Sequence, residues 1–370
     1  MTKFLQFGTS RFLQAHADLF IGEALGENQI TVVHSSGSPA TLSRLDALQH
    51  KAGFPIIIKG LEGGQPVERL HEVYAVKSAL STTNDWDAVL DAGEHCEFII
   101  SNVSEKGYEP HITDAGIDFH TDNSFPVKLL HLLSHRFAAG APPLCIMPLE
   151  LFESNGYHLK KLVFKLARDR NKSSEFLEWL KRCIWVNSLV DRIVSEAIEP
   201  AGAVAEPYAL WAIENANGLE FPLKHQNIKI VDDLRPYQYL KLYILNLSHS
   251  YMASKWQHSA QSGQLPEDFK VREYMDCPEL FDDLVQLLES EVLPGFEAAG
   301  LLEQANVYMS ETIDRFRNPS LNHFLRDIYG GHYQKVRSRI GGFVTWAKAS
   351  GDDEFKPRLS ELLEAERQSF

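Results

Sequence analysis

The chain has 370 residues, of which 44% are hydrophobic and 23% charged, and its formal net charge is −14. This length exceeds what one hydrophobic core usually organises, so we expect two domains. The negative charge argues against nucleic acid or an anionic membrane as a partner, and no run reaches the roughly 20 apolar residues of a membrane span. The opening MTKFLQFGTSR soon turns polar, which is not the pattern of a signal peptide, and the four cysteines are far apart. We therefore predict a soluble protein of the reducing cytoplasm.

Short apolar runs alternate with helical patterns through the first part of the chain. The runs of strand length are KFLQFG, ITVVHSS, CEFIISNVS and PPLCIMPLE. The helical stretches are RFLQAHADLFIGEAL, PATLSRLDALQHK, which opens with Pro39, and PVKLLHLLSHRFAAG. Strands that alternate with helices predict a parallel, doubly wound α/β sheet with helices on both faces.

The pattern becomes mainly helical from about residue 235. The helical stretches there are RPYQYLKLYILNLSHSYMASKW, PELFDDLVQLLESEVL, PSLNHFLRDIYG and KPRLSELLEAERQ. The stretch between Gly202 and Asp233 is interpreted as the crossover between the two parts. We predict an α/β N-terminal domain over residues 1–225 and a mainly α-helical C-terminal domain over residues 226–370.

The first strand, turn and helix, QFGTSRFLQAHAD, lie where a dinucleotide-binding fold holds a pyrophosphate on a helix N-terminus. The usual GxGxxG is absent, and only Gly8 remains, followed by Thr9 and Ser10. Their hydroxyls and backbone N–H groups suit a phosphate, and Arg11 would help to neutralise it. The alternative is a plain strand-to-helix turn with a Ser or Thr N-cap.

The end of the second strand bears on the choice of cofactor. An NAD-binding fold places an Asp or Glu there for the adenosine ribose, whereas this chain has His34, Ser35 and Ser36. Arg44 lies further along, on the next predicted helix. Without a carboxylate to repel a 2′-phosphate, both NAD and NADP stay open.

The segment KLYILNLSH places Lys241, Asn246 and His249 among apolar residues. With about 100° per helical residue, Asn246 lies about 140° and His249 about 80° from Lys241, so one helix face presents all three. Hydride transfer between an alcohol and a nicotinamide needs a base for the hydroxyl proton and a donor for the developing alkoxide. The alternative is the polar stripe of an ordinary amphipathic helix.

RPYQYLKLYILNLSHS resembles the signature of the polyol-specific long-chain dehydrogenases, the mannitol dehydrogenase family. Further segments match the family in order over roughly residues 4 to 340: FGTSRFLQAHAD with Phe12 and the Ala15–His16 pair, SEKGY, ELFESNG, LVDRIV and RFRNP. The resemblance implies an NAD(P)-dependent dehydrogenase with a Rossmann-like N-terminal domain. Its substrate would be a small sugar acid or polyol, and it would be a monomer or a small homo-oligomer.

The resemblance also implies roles for individual residues. Lys241 would be the general base, Asn246 would polarise the reacting oxygen, and His249 would orient the hydroxyl group. Asp191 would contact the substrate chain, for which the alternative is an ion pair with Arg192 or another neighbour. The remaining implied substrate contacts are Asn155, Arg326 and Lys335. For Arg326 and Lys335 the alternative is a solvated charge. The implied cofactor contacts are Phe12, Asn102 and Glu105, in addition to Gly8, Thr9, Ser10, Arg11, His34 and Ser35.

One departure from the family pattern bears on the substrate. Mannitol dehydrogenases have Cys-Asp-Asn where this chain has Leu149, Glu150 and Leu151, so the second oxyanion donor is absent from its usual place. The Glu-Leu pair and the segment AEPYALWAIE resemble the tagaturonate reductase branch, whereas SEKGY is closer to the mannitol branch. We expect an aldonate or keto-uronate substrate, with a neutral or phosphorylated polyol left open.

Three other patterns point to packing or to a different class of protein. His131 and His135 lie four residues apart but lack a third metal ligand, so we expect no metal site. Cys145 is interpreted as a small buried residue, and GLEGGQPVERL as a turn.

The rival function is a regulator that binds a dinucleotide or sugar acid without catalysis. It is suggested by the glycine turn, which keeps only Gly8 of the usual GxGxxG.

Overall fold

The computed structural model describes residues 2–35, 42–261 and 264–368. The chain divides into two compact units. The first contains Met1–Ile58, Glu68–Ala205 and Ala209–Leu234, and the second contains Lys59–Val67, Glu206–Tyr208 and Arg235–Phe370. The chain enters the second unit for the last time after Leu234, nine residues beyond the domain boundary predicted at residue 225. The predicted domain boundary stays a prediction.

Among the described residues, all of the strands lie before residue 232. Their bounds are β1 Phe4–Phe7, β2 Ile30–His34, β3 Phe54–Glu62, β4 Gln65–Val73, β5 Val76–Ser81, β6 Phe98–Ser101, β7 Cys145–Pro148, β8 Ile184–Trp185, β9 Ser188–Asp191, β10 Val194–Ala197, β11 Ala203–Ala205, β12 Leu210–Glu214 and β13 Ile228–Val231. The four strands predicted from sequence correspond to β1, β2, β6 and β7. Three of the strands, β11, β12 and β13, lie in the stretch that the sequence suggested was only a crossover.

The main sheet has six parallel strands in the order β5-β2-β1-β6-β7-β8. Numbered along the chain within this sheet, the order is 3-2-1-4-5-6, which is the order of a Rossmann fold. The predicted doubly wound parallel sheet is therefore confirmed. Ligands of such sheets bind outside the carboxyl ends of the strands, on both sides of the point where the strand order reverses.

The helices of the first unit cover both faces of this sheet. Their bounds are α1 Arg11–Leu13, α2 Leu19–Leu25, α3 Leu42–Leu48, α4 Trp86–His95, α5 Phe125–Ala138, α6 Asn155–Asp169 and α7 Ser174–Arg182, with a π-helical turn at Gln14–Asp18 between α1 and α2. Alternate residues of β1 enter different cores: Phe4 packs in one cluster, and Leu5 and Phe7 pack in the other. Burial on both faces explains why these strands are almost continuously apolar.

Two smaller sheets complete the strands, in the orders β10-β11-β3-β4 and β13-β12-β9. Gly63 and Gly64 form the turn between β3 and β4, both with positive φ. The turn predicted for GLEGGQPVERL is therefore present, but most of the segment around it is strand.

Helices make up most of the second unit. Their bounds are α8 Arg235–Leu240, α9 Leu247–Gln261, α10 Val271–Asp276, α11 Pro278–Leu287, α12 Leu293–Ala298, α13 Leu302–Arg317, α14 Leu325–Tyr329, α15 His332–Val336, α16 Gly342–Ala349 and α17 Pro357–Gln368, with π-helical turns at Lys241–Asn246, Leu288–Val292 and Arg337–Gly341. They enclose one apolar core that includes Tyr251, Phe296 and Phe343. The prediction of a mainly helical C-terminal part is confirmed, and in the described part of the chain no helix is both long and apolar enough to span a membrane.

A buried ion pair in the second unit joins two of the segments that the sequence singled out. Glu206 of AEPYALWAIE receives two hydrogen bonds from Arg315 of RFRNP, Nε to Oε2 at 2.9 Å and Nη2 to Oε1 at 2.8 Å. Both side chains are almost fully buried, and the Arg315 guanidinium lies 4.4 Å from the ring centre of Tyr208. The two motifs thus have a structural role, because each charge is held in the interior by the other.

We predict that Glu206→Ala lowers the free energy of unfolding by about 3–5 kcal/mol, because it leaves the Arg315 charge buried without its partner. Urea unfolding measures the loss. The matched control is Asp276→Asn, which breaks the exposed pair with Arg272 and should cost less than about 1 kcal/mol. Equal effects of the two substitutions would contradict this role for Glu206.

Candidate active site

Gly8 allows β1 and β6 to end in close contact. Its φ is +121°, and a Cβ added to it would lie 2.6 Å from the Asn102 carbonyl oxygen. The Gly8 N–H donates to the Val33 carbonyl, and the Asn102 N–H donates to the Phe7 carbonyl. A side chain at position 8 is therefore excluded by both the backbone conformation and the neighbouring strand.

Ser10 and Asn102 fix the start of the first helix. The Leu13 N–H donates to Ser10 Oγ at 3.2 Å, so Ser10 is the N-cap that the sequence offered as the simpler interpretation. Ser10 Oγ in turn donates to Asn102 Oδ1 at 3.1 Å, and Asn102 Nδ2 donates to the Leu149 carbonyl at 2.8 Å. One asparagine thus ties the turn after β1 to the ends of β6 and β7.

Arg11 has its positive charge largely committed to protein partners. Its Nη2 lies 2.7 Å from Glu199 Oε1, and its Nη1 donates to the Gly202 carbonyl at 3.2 Å. Thr9 is buried, and the Thr9 carbonyl accepts a hydrogen bond from Gln14 Nε2. The predicted phosphate contact of Arg11 stays a prediction, and Glu199 already opposes its charge.

Phe12 and His16 belong to an aromatic stack inside the first unit. Their rings are 4.8 Å apart, and His16 also packs against Phe20 and Trp211. Burial lowers the pKa of His16 to about 3, and its Nε2 lies 2.9 Å from the Leu210 carbonyl. The Ala-His pair of the motif is thus a neutral packing element, and the proposed cofactor contact of Phe12 stays a prediction.

His34 and Ser35 lie at the carboxyl end of β2, beside two cations. Lys128 of α5 donates from Nζ to the Ser35 carbonyl at 2.7 Å. Burial lowers the pKa of His34, and the charges of Arg44 and Lys128 lower it further. Ser36 and Pro39, both named in the sequence interpretation, lie outside the described residues.

Glu150 is a buried carboxyl at the end of β7, at the position where the chain departs from the family pattern. Its Oε1 accepts from the Val103 N–H at 3.1 Å and its Oε2 from Ser101 Oγ at 3.2 Å. Burial raises its pKa to about 7, and its proximity helps to raise the pKa of Tyr108 in the SEKGY segment. The backbone of Glu105 lies in a 3₁₀ turn, Glu105–Gly107. The family pattern has an Asp at this position, so Glu150 keeps a carboxyl there, and the donor that this chain lacks is the asparagine that Leu151 replaces.

Asn155 is fully engaged with the backbone. Its Nδ2 donates to the carbonyls of Glu150 and Ser188, and its Oδ1 accepts from the N–H groups of Gly156 and Ser188. These four bonds use both amide hydrogens and both acceptor positions. Its side chain orders the loop after β7, and its substrate contact stays a prediction.

Asp191 is buried at the end of β9 and pairs in the sheet with Leu210. Its charge raises the pKa of the nearby His16, against the stronger effect of burial. The neighbouring Arg192 donates from Nη1 to the Ala15 carbonyl at 2.6 Å and lies over the Phe20 ring. The substrate role of Asp191 stays a prediction.

Lys241 and Asn246 are the first and last residues of a π-helical turn. The Leu247 N–H donates to the Leu242 carbonyl, five residues earlier, and also to the Ile244 carbonyl. Because i→i+5 bonding puts more residues in each turn, Lys241 and Asn246 are separated by a smaller angle than the α-helical estimate of about 140°. Turns of this kind occur often at functional sites, and no pattern in the sequence indicated this one.

His249 lies one helical turn further on, in α9, and its ring is enclosed by aromatic groups. The ring centre is 4.8 Å from that of Phe316 and 5.0 Å from that of His323. His323 is itself a half-buried imidazole whose pKa burial lowers. The RFRNP motif therefore helps to fix His249, and His323 is a polar neighbour that the sequence interpretation missed.

The predicted basic substrate contacts differ in their surroundings. Arg326 is exposed and stacks 4.7 Å from the Phe324 ring centre, as expected for a solvated charge. Lys335 is half-buried and donates from Nζ to the Ile328 carbonyl at 2.7 Å. The sequence interpretation overlooked Arg339, whose Nη1 donates to the Asn246 carbonyl at 3.3 Å and to Ser250 Oγ at 3.1 Å.

The two histidines considered as metal ligands have other partners. His131 Nε2 lies 3.0 Å from Arg170 Nη1, and burial lowers the pKa of His131 to about 4. His135 Nε2 lies 3.5 Å from Glu94 Oε2. Within the described ranges, no group of three or more His, Cys, Asp or Glu side chains could hold a metal ion.

Comparison with known proteins defines the class to which this fold and site belong. Residues 2–227 match the family described as the mannitol dehydrogenase Rossmann domain. The altronate oxidoreductase of Bacillus subtilis is 28% identical over 367 residues, which cover 91% of this chain and 73% of the relative. That of Klebsiella pneumoniae is 29% identical over 399 residues, which cover 98% and 78%. The protein is an oxidoreductase of the dehydrogenase class.

The chain belongs to the mannitol dehydrogenase family, as its motifs predicted, and it is similar to the altronate oxidoreductases within it. Solved structures agree in fold. Substrate-free D-sorbitol dehydrogenase has a TM-score of 0.73 at 18% identity, covering 94% of this chain and 79% of its own. The Pseudomonas fluorescens mannitol 2-dehydrogenase complex with NAD and D-mannitol has a TM-score of 0.71 at 17% identity, covering 99% and 78%.

We predict that Gly8→Ala lowers both the free energy of unfolding and the affinity for a dinucleotide, because the new Cβ meets the Asn102 carbonyl. Gly26→Ala is the matched control: Gly26 also has a positive φ, +82°, but nothing lies within 4 Å of the place that a Cβ would take there. The control should show the backbone strain alone, about 1–3 kcal/mol, because Gly26 combines φ +82° with ψ −153°. Equal losses in urea unfolding, with unchanged binding, would contradict the close approach at Gly8.

We predict that Glu150 makes the protein less stable as pH rises from 4.5 to 7. Its folded pKa of about 7 exceeds the ordinary 4.5, so the folded state holds its proton through this interval while the unfolded state loses it. This group contributes a slope of up to about 1.4 kcal/mol per pH unit. Urea unfolding against pH should show a smaller slope for Glu150→Gln.

The control for that experiment is Glu153→Gln, at an exposed position three residues away. Asp18, whose pKa burial also raises to about 7, contributes equally to all three proteins and cancels in the comparison. Parallel profiles for the wild type and Glu150→Gln would show that the Glu150 carboxyl titrates normally.

Proposed function

We propose that this protein is an NAD(P)-dependent oxidoreductase that interconverts a secondary alcohol and a ketone on a linear sugar-derived acid, an aldonate and its keto-uronate. The observation that carries the proposal is the π-helical turn with Lys241 at its first position and Asn246 at its last. Two chemically different groups that suit one reacting oxygen are thereby directed to the same face. Membership of a dehydrogenase family and the likeness to altronate oxidoreductases support this interpretation.

The catalytic roles follow from the chemistry of the three side chains. In the oxidation direction, Lys241 accepts the hydroxyl proton as the carbon-bound hydrogen leaves as hydride. Asn246 donates an N–H to the same oxygen, which stabilises partial negative charge without adding a full charge. His249, fixed by Phe316 and His323, orients the hydroxyl group. In the reduction direction, the proton returns from Lys241 to the oxygen of the new alcohol.

The residues around Gly8 suit a dinucleotide, whose nicotinamide supplies or accepts the hydride. The absence of a Cβ at Gly8 lets the turn approach the Asn102 carbonyl closely, and the helical run over residues 11–25 directs its positive end to this turn. Ser10 and Asn102 keep this turn rigid through their hydrogen bond. Thr9 and Ser10 are the proposed pyrophosphate contacts, and Arg11 contributes less because Glu199 opposes its charge.

Two cations beside the catalytic helix favour an acidic substrate. Arg339 contacts the Asn246 carbonyl, and its charge lowers the pKa of Lys335 in addition to the effect of burial. Two neighbouring cations repel each other, and a substrate carboxylate would relieve that repulsion. In a chain with a net charge of −14, this local positive charge would also be needed to admit an anion. A phosphorylated polyol would satisfy the same cations.

The direct test follows absorbance at 340 nm with NADH and then NADPH, against tagaturonate, fructuronate, fructose and fructose 6-phosphate. Turnover of a keto-uronate is the expected result. Turnover only of fructose or its phosphate would identify a polyol dehydrogenase instead. Cofactor binding without turnover on any ketose would favour the rival function, a regulator without catalysis.

We predict that Lys241→Ala lowers kcat by at least about 100-fold, because general base catalysis contributes factors of this size. The affinity for the dinucleotide, measured by fluorescence titration, should change little. Lys255→Ala is the matched control, since Lys255 lies on the adjoining helix α9 and is largely exposed. Full turnover of Lys241→Ala, or loss of cofactor binding with normal turnover, would exclude this role.

A further inference from the structure

A buried glutamine and a buried aspartate lie behind the turn that follows β1. Gln6 is on β1, where it pairs with Val32 of β2 and Ile100 of β6, so it lies in the middle of the parallel sheet. Asp18 is the last residue of the π-helical turn Gln14–Asp18. The exposed fractions of Gln6 and Asp18 are 1% and 0%. Their polar atoms therefore need partners inside the protein, because solvent does not reach them.

Two glutamine side chains hold successive carbonyls of this turn. Gln6 Nε2 donates to the Gly8 carbonyl at 3.4 Å, and Gln14 Nε2 donates to the Thr9 carbonyl at 3.2 Å. Because a peptide group is planar, fixing these two carbonyls also fixes the directions of the Thr9 and Ser10 N–H groups. Backbone N–H groups at a helix N-terminus are the groups that bind a pyrophosphate.

The two glutamines differ in how their amide oxygens are used. Gln14 Oε1 accepts from the Gly202 N–H at 2.7 Å and from Arg11 Nη1 at 3.3 Å. In the part of the chain that the structure describes, Gln6 Oε1 and both carboxyl oxygens of Asp18 have no hydrogen-bond partner. Three neighbouring buried acceptors thus lack a donor. A protonated Asp18 supplies one, because the neutral carboxyl group has an O–H.

The surroundings of Asp18 favour this neutral form. Burial raises the pKa of Asp18 to about 7, and the nearby Gln6 amide opposes that effect. No charged side chain of the described residues adds to either effect. The charges of Arg192, Asp191 and His225 act instead on His16, two residues earlier, whose ring faces the Leu210 carbonyl. The protonation of Asp18 therefore depends on its burial and on Gln6.

We infer that Asp18 is a positioning residue of the cofactor turn and that it acts as a neutral acid. Its O–H donates to Gln6 Oε1, the Gln6 amide hydrogens stay directed at the Gly8 carbonyl, and the Thr9 N–H of the same peptide faces the pyrophosphate. An ionised Asp18 attracts those amide hydrogens away from Gly8, and its charge opposes an anionic ligand across the dry interior. The inference rests on the proposed function, since it concerns the cofactor turn of that reaction.

The consequence is a pH dependence of cofactor affinity that needs no turnover to measure. Because the neutral form of Asp18 binds better, affinity should be highest below its pKa and should fall as pH rises through about 7. Fluorescence titration with NADH at about pH 6.5 and about pH 8.5 measures the change, to which Asp18 should contribute about 5-fold to 25-fold. His34 and Lys128 also titrate near the turn, so variants are needed to isolate Asp18.

Asp18→Asn separates this role from a structural one. The new amide donates to Gln6 Oε1 as the neutral acid does, and it cannot ionise. The variant should match the wild type within about 2-fold at the lower pH and bind NADH about 5-fold to 25-fold more tightly than the wild type at the higher pH. A disrupted core would weaken binding at both.

Two further variants complete the comparison. Gln6→Met should weaken NADH binding at both pH values, because the Gly8 carbonyl loses its donor. Glu27→Gln is the matched control for charge, since Glu27 is exposed just after α2, and it should follow the wild type at both. Urea unfolding confirms that each variant is folded under the conditions of the titration.

The outcomes separate this inference from the proposed function. Parallel pH profiles of Asp18→Asn and the wild type, with normal turnover of a ketose, would overturn the role of Asp18 and leave the dehydrogenase intact. Weaker binding of Asp18→Asn at both pH values would also overturn it, because the carboxylate would then be the form required. Failure of the wild type to bind NADH at either pH would overturn both proposals.

Discussion

The first unit depends on the close approach of three strand ends, which Asn102 holds together. Its carbonyl occupies the space that a side chain at position 8 would need, and its amide joins Ser10 to the Leu149 carbonyl. The turn after β1, the loop after β6 and the loop after β7 are therefore fixed by one residue. In a parallel sheet this is the edge where ligands bind, so the hydrogen bonds that complete the fold also shape the proposed cofactor site.

In the second unit, the proposed catalytic site depends on a local irregularity of a helix, the π-helical turn Lys241–Asn246. An α-helix would separate Lys241 and Asn246 by about 140°, whereas the turn with i→i+5 bonding reduces that angle. Arg339 contacts the carbonyl of Asn246 from another π-helical turn, Arg337–Gly341. The proposed base, the proposed oxyanion donor and a cation suited to an acidic substrate thus meet around two irregular turns.

Much of the fold could be predicted, because β1, β2, β6 and β7 are apolar runs between helical patterns. The strands β3–β5 and β8–β13 were not predicted, because they follow one another without a helix between them and so lack the helical patterns that set off β1, β2, β6 and β7. Residue type alone did not reveal the contacts of several motif residues: Asn155 uses its amide on backbone groups, His16 is neutral and packed, and Glu206 with Arg315 forms a buried pair. Arg339 and His323 were missed because only tertiary packing brings them to Asn246 and His249. The π-helical turns left no pattern in the sequence.

The most direct test of the central claim is a crystal structure of the ternary complex with an oxidised or reduced dinucleotide and an unreactive analogue of a keto-uronate. The account predicts that Lys241 Nζ and Asn246 Nδ2 both lie within about 2.6–3.2 Å of the same substrate oxygen, on the carbon that faces the nicotinamide. An analogue whose reacting oxygen contacts neither atom, or only one while the other points into solvent, would contradict it.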